Sequence, residues 1–190
     1  AGNIGVVEIR NFMSAGEGNP EYATQIDAAM ASVRNAAALV LDLRQTPGGG
    51  LASVAYLASY FFAKPTHLLD RIPRAPGGVA GVWTQSEVGG ERLADAPVFI
   101  LTSRNTFSAG EAFAFALKQA GRAILVGETT GGGGHSGTFR TLPHGFGMLV
   151  PTTRAVDPRT GRGWEAEGVH PDREVPADRA LETALELARR

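Results

Sequence analysis

The sequence predicts an α/β domain built on parallel strands, and three observations lead there. Residues 37–43 (AALVLDL) form a near-continuous apolar run, the pattern of a strand buried on both faces of a sheet. Residues 99–101 (FIL) and 123–126 (AILV) are shorter runs of the same kind. Between these runs lie stretches with apolar residues at helical spacing, and a strand–helix–strand order implies parallel pairing through a right-handed crossover.

Taken in order, residues 4–10 alternate well enough for a strand, and residues 13–19 make a Gly/Asn loop. Asn19-Pro20-Glu21 has the form of an N-cap, an N1 proline and an acid in the first turn. The helix it opens carries Ile26, Met30 and Val33 on one face and stops near Asn35. After the strand over 37–43, Arg44 to Gly50 (RQTPGGG) breaks the chain, and a second helix is expected over 52–62, ending before Pro65. Residues 66–85 suggest one or two strands around the Pro/Gly stretch 73–78, with a turn at Gly89-Gly90. The strand over 99–101 then leads into a helix opening at or just before Ser108, with Phe113, Ala116 and Leu117 on one face. Past the strand over 123–126, residues 127–137 are dominated by glycine. Short strands follow over 137–142 and 146–151, then a turn at 157–161, a strand over 169–175, and a helix from about Ala177. With no internal repeat and no long linker, residues 1–190 are expected to form one domain of repeated β-β-α units.

Composition narrows the function classes. A hydrophobic fraction of 43% with 19% charged residues is that of a soluble globular protein. A formal net charge of −1 and scattered arginines give no electrostatic pull toward nucleic acid or anionic membrane. No window approaches the ~18 apolar residues of a membrane span. Cysteine is absent, so there is neither a disulfide framework nor thiolate chemistry. The chain opens AGNIGVVEI without Met or a leader, as expected of a mature protein or of a piece of a longer one.

No cofactor or metal is expected. Pro47–Gly50 lies between strand and helix like a phosphate cradle, but no Lys-Ser or Lys-Thr follows it. Gly132-x-Gly134-x-x-Gly137 matches a dinucleotide fingerprint in form only, because a strand rather than a helix follows. The histidines, His67, His135, His144 and His170, have no zinc spacing.

Ser108 is the candidate nucleophile. A serine at a helix mouth, delivered by a buried strand, stands beside free N–H groups and the positive end of the helix dipole, where an oxyanion can be received. The same residues also fit a capping box, Ser108-x-x-Glu111, which would need no chemistry. If Ser108 attacks, Ala109 N–H is the natural first oxyanion donor and Gly48 or Gly49 a second, because glycine allows close backbone approach. Those glycines would serve equally to make the strand-to-helix turn. His135 follows the glycine run, where backbone freedom can bring it to Ser108. His144 and His170 look like surface residues, and Lys118, ten residues along the helix, cannot reach the hydroxyl.

Four motifs in order, LVLDLRQTPGGG, LTSRNTFSAGEAFAFAL, AILVGETTGGG and WEAEGVHPDREV, resemble the tail-specific, or C-terminal processing, serine proteases. The nearest likeness is to the interphotoreceptor retinoid-binding protein-like and tricorn-core-like branch. The resemblance spans residues 4–175 and implies a ClpP/crotonase-like fold, Ser108 at the nucleophile position, and an oxyanion hole from Ala109 and the Gly48–Gly49 turn. It also implies a peptide or protein substrate, an extracytoplasmic location, and further helical or PDZ-like domains ahead of this core. The processing proteases take a lysine base from the segment after GE-x-T, where this sequence has Gly131-Gly132-Gly133-Gly134-His135. Tricorn-like relatives use a histidine from an earlier part of the chain with a glutamate near the GV-x-PD tail, which Glu165 or Glu167 could match; the resemblance then implies a base from a segment outside residues 1–190, unless His135 takes the role. The retinoid-binding branch implies an alternative, a non-catalytic carrier of an apolar ligand or a peptide.

Overall fold

A computed structural model describes residues 2–12 and 20–189. The expected loop over 13–19 and the Asn19 cap lie outside the described residues. The chain order is β1 (Ile4–Glu8), α1 (Pro20–Ser32), β2 (Ala38–Asp42), α2 (Leu51–Ser59), β3 (His67–Pro73), β4 (Ala80–Trp83), β5 (Val98–Thr102) and α3 (Ala109–Gln119). It continues with β6 (Ile124–Gly127), β7 (His135–Thr141), β8 (Gly147–Val156), β9 (Arg173–Glu174) and α4 (Ala180–Ala188). Five strands in the order β1-β2-β5-β6-β9 form a sheet that is parallel throughout. The other four, β4-β3-β8-β7, form an antiparallel sheet. The predicted α/β class with parallel pairing is what the chain adopts.

The apolar runs behave as their composition requires. Leu39, Leu41, Val98 and Ile100 pack into the larger core with Ile26, Met30, Leu57 and Phe113. Their alternates, Ala38, Val40, Phe99 and Leu101, pack against Ala180 and Ala184 of α4 on the opposite face. Two-sided burial is therefore met by helices on both faces of the parallel sheet.

Some boundaries move, for local reasons. Residues 66–85 resolve into two strands, β3 and β4. The strand expected over 169–175 shrinks to Arg173–Glu174, because Gly168 has φ +76° and Pro171 offers no N–H. The last strand pair runs further than expected: β8 continues through Pro151 to Val156, and β7 begins at His135 rather than at Gly137. The proline is tolerated at a register shift, where the pairing passes from Ser136↔Thr153 to Gly137↔Pro151. His135 thus does not hang from a loose glycine run. It is the first residue of an edge strand, paired with Arg154.

Candidate active site

β2 and β5 are parallel neighbours, registered from Leu39↔Val98 to Asp42↔Leu101, so the segments leaving their C-terminal ends lie side by side. This is where open α/β sheets place ligands. Three hydrogen bonds join the two turns. Thr106 Oγ1 donates to the Leu43 carbonyl at 2.8 Å, Ser103 Oγ to the Arg44 carbonyl at 2.6 Å, and Phe107 N–H to the Thr46 carbonyl at 2.9 Å. Thr46 is itself buried, with its hydroxyl donating to the Ile9 carbonyl. The turn at 44–50 and the turn into α3 are therefore one rigid unit.

At the end of that unit Ser108 is half-buried, with φ 51° and ψ −114°. Ser108 and Glu111 form the reciprocal capping box, but the Ser108 backbone is bent to positive φ where an N-cap residue is normally extended. Such a conformation costs an L-residue on the order of 1–3 kcal/mol and persists only where its surroundings hold it. Here the Ser108 N–H donates to Glu111 Oε2 at 2.7 Å, and its carbonyl accepts the Ala112 N–H at 2.9 Å. The side chain is turned against Gly48: a Cβ built on that glycine would lie 2.8 Å from Ser108 Cβ and 3.2 Å from its Oγ.

Gly48 and Gly49 have φ of +126° and +143°, and a Cβ on Gly49 would overlap the Phe12 carbonyl oxygen at 1.3 Å. Phe12 holds the turn from that side, its N–H donating to the Gly48 carbonyl at 2.8 Å and its carbonyl accepting the Gly50 N–H at 2.7 Å. Among the described residues, the amides of Gly48, Gly49 and Ala109 have no protein acceptor. Of the residues the sequence singled out as donors, Gly48 abuts Ser108, and Gly49 and Ala109 line the same cavity as the serine.

A cavity of about 60 Å³ opens at this point, lined by Ser108, Ala109, Gly49, Arg71, His135 and Trp164 among others. Glu165 secures the strand end that carries His135. Its Oε2 accepts the amides of Gly134 and His135 at 2.7 and 2.8 Å, and its Oε1 lies 3.6 Å from His135 Nδ1. Glu167 is not brought there; it lines a different cavity with Phe115, Lys118 and His170. The remaining histidines are engaged or distant. His67 stacks on Trp83 at 4.2 Å and faces Asp70 at 2.8 Å, and His170 Nδ1 meets Thr129 Oγ1 at 3.0 Å. His144 is exposed in a turn with φ 62°. Lys118 reaches Asp172 at 2.9 Å and the His170 carbonyl at 2.7 Å, away from Ser108.

Glu111 is the residue whose role local pattern understated. Fully buried, it accepts four hydrogen bonds: Thr130 Oγ1 (2.5 Å) and Gly132 N–H (2.6 Å) at Oε1, Ser108 N–H (2.7 Å) and Gly133 N–H (2.8 Å) at Oε2. One carboxylate ties the serine turn to the glycine segment. A polar side chain at the third position of a helix otherwise dense in Ala and Phe was the available signal. The glycines have their own reason: a Cβ on Gly133 would lie 2.3 Å from Phe107 Cζ, and one on Gly131 would lie 2.8 Å from Phe107 Cδ2. The Phe107 ring fills the space beside Gly131 and Gly133.

The model of peptidase family S41 matches residues 3–175. The carboxyl-terminal-processing protease of Picosynechococcus sp. is 34% identical over 139 residues, covering 73% of this chain and 32% of that protein. The photosystem II D1 C-terminal processing protease superposes with a TM-score of 0.73 at 27% identity, over 98% of this chain and 46% of that one. The tricorn protease, at 19% identity and TM-score 0.58, covers 99% of this chain and 18% of its own and shares the fold. The chain thus spans about a third of the length of the curated relatives it matches.

Proposed function

The chain belongs to peptidase family S41, and from that premise we propose that residues 1–190 form a single serine-type peptidase core that hydrolyses peptide bonds through Ser108. One observation carries the assignment of roles. Ser108, at φ 51°, abuts Gly48 at a cavity whose lining includes His135.

In this reading Ser108 Oγ attacks the scissile carbonyl carbon while its proton passes to the His135 imidazole. Glu165, beside Nδ1, orients the ring. Negative charge develops on the carbonyl oxygen and is met by the amides of Ala109 and the Gly48–Gly49 turn, donors that need no reorganisation. Collapse of the tetrahedral intermediate returns the proton to the leaving amine and leaves an ester on Ser108. Water, deprotonated by the same imidazole, then releases the acid. Lysine has no part in this scheme.

The names of the relatives support a protein or peptide substrate cut near its carboxyl terminus, and family likeness alone supports an extracytoplasmic location. No helix among the described residues is long and apolar enough to cross a membrane. The alternative, a carrier of a retinoid or fatty acid, is not favoured, because the matching family and the named relatives are peptidases. A fluorophosphonate probe should label the full-length protein at Ser108 and leave Ser108→Ala unlabelled, and His135→Ala should lose on the order of 10²–10⁴ in kcat. An unlabelled wild type that cleaves no peptide would overturn the peptidase reading. A fully active His135→Ala would overturn the assignment of the base.

A further inference from the structure

Among the described residues the two sheets have four edges, and three of them are short: β9 has two residues, β4 four and β1 five. The fourth, β7, is seven residues long, and every one of them is exposed. β3 accompanies the β7–β8 pair only over Thr153–Val156, so residues 137–151 leave the sheet as a two-stranded ribbon. A ribbon of this kind is at best marginally stable in water by itself. Residues 135–149 are all exposed, and Phe139, Leu142, Phe146, Met148 and Leu149 each show between 39% and 68% of their surface to solvent.

An open edge invites pairing, and proteins block it with lysine, proline, a bulge or a covering element. β7 carries no lysine, no proline and no cover, and its one full charge is Arg140. Its irregularity lies between Ser136 and Gly137 and leaves 137–141 in regular register with β8. The hairpin closes where the Leu142 N–H donates to the Phe146 carbonyl at 2.8 Å, which fixes the alternation. Thr138 and Arg140 turn their backbone groups to β8, whereas Gly137, Phe139 and Thr141 turn theirs outward. Pro151, which has no N–H, sits opposite Gly137, where β7 asks for none.

We infer that this edge pairs with β7 of a second copy of the chain, antiparallel about a two-fold axis at Phe139. Phe139 is the midpoint of the regular stretch 137–141, so each outward residue meets another outward one. Phe139 faces Phe139 of the second copy, Gly137 faces Thr141, and every such pair exchanges two hydrogen bonds. Charge selects the same axis. Centring on Arg140 would set two guanidinium groups opposite each other, whereas centring on Phe139 puts Arg140 opposite Thr138. Phe139 and Leu149 already stand opposite each other on one face of the ribbon, so the join makes an apolar row of Leu149 and Phe139 from both copies. A two-fold contact also closes the edge on itself and does not propagate. Nothing in this inference depends on chemistry at Ser108.

An interface of one strand and its neighbours is small against the ~800 Å² per partner of a standard one, so the expected Kd is micromolar. Sedimentation velocity of the full-length protein from about 1 to 200 µM should show a monomer–dimer equilibrium. Phe139→Lys sets two ammonium groups across the axis and should raise Kd about tenfold. Thr141→Pro removes an N–H that β8 does not use and should act similarly. Phe146→Lys adds the same charge to the same ribbon outside 137–141 and should leave Kd unchanged. Because the chain has no cysteine, cross-linking reads the register. Mild oxidation should link Phe139→Cys into a dimer, across the ~5.5 Å Cα separation of a hydrogen-bonded pair. Thr141→Cys, which faces Gly137, should stay unlinked. A protein that is monomeric over the whole range overturns the inference. So does Phe146→Lys weakening association as much as Phe139→Lys, which is unspecific apolar adhesion, or Thr141→Cys linking as readily as Phe139→Cys.

Discussion

Glu111→Gln replaces one carboxylate oxygen by an NH₂ group in a site where four donors converge. The amide has two ways to sit. With nitrogen in the place of Oε2, it faces the backbone N–H groups of Ser108 and Gly133, and both lose their acceptor. With nitrogen in the place of Oε1, the Thr130 hydroxyl can rotate to accept from it, although it already accepts the Val169 N–H at 2.7 Å. The Gly132 amide still meets a donor. The better arrangement thus orphans one buried N–H and removes the charge from three further hydrogen bonds. An unsatisfied buried donor costs about 1–3 kcal/mol, and weaker charge assistance adds to it. The expected loss is about 2–4 kcal/mol, or roughly 5–15 °C in Tm for a domain of this size. Thermal and urea denaturation followed by circular dichroism measure it. Because the Ser108 backbone depends on the same carboxylate, peptidase activity should fall further than stability alone accounts for. A variant melting within about 2 °C of wild type would show that these four hydrogen bonds do not hold the site together.

Three other outcomes follow from the same geometry. Gly48→Ala forces a Cβ to 2.8 Å from Ser108 Cβ at φ +126° and should lower kcat/KM by about 10²–10³ through a displaced oxyanion donor. Gly121→Ala, strained at φ +66° but with open space around it, should cost about 1 kcal/mol in urea melts and leave activity unchanged. Glu165→Ala releases the amides of Gly134 and His135 on a half-exposed rim, so folding should survive. Its kcat should drop by up to about 10² with KM nearly unchanged, and full activity in a progress-curve assay would exclude Glu165 as a positioning residue. Asp157 supplies a pH effect: burial pushes its carboxyl up, but the Arg159 guanidinium and the backbone N–H groups of Arg159 and Thr160 outweigh this and hold it below the usual range. A lowered folded-state pKa adds stability above the ordinary carboxylate pKa that is lost as pH falls through the folded value. Asp157→Asn should therefore be less stable than wild type at pH 7, with the gap closing in strongly acidic solution. A gap constant from pH 7 down to pH 2 would refute that account.

The sequence alone determined which segments become buried strands and which residues gather at the strand ends. Two-sided apolar runs admit no other solution than a sheet covered on both faces, and Leu39/Val40 and Ile100/Leu101 divide between the two cores as that logic demands. The turn glycines and Ser108 were legible as well, since they follow those runs directly. Tertiary structure decided what no local pattern could encode. The same Ser-x-x-Glu pattern opens ordinary helices, and only the packed turns give this capping box a Ser108 at positive φ and bring Gly48 against it. His135 was fixed at a strand end by pairing with Arg154, 19 residues on, and Glu165 was brought to it from 30 residues away while Glu167 was not. Glu111 acquired three of its four partners from positions 19 to 22 residues onward, beyond any helical or strand period. Burial periodicity is a property of neighbouring residues and can be read from them, whereas the convergence of donors on one carboxylate or one hydroxyl exists only once the chain has closed on itself.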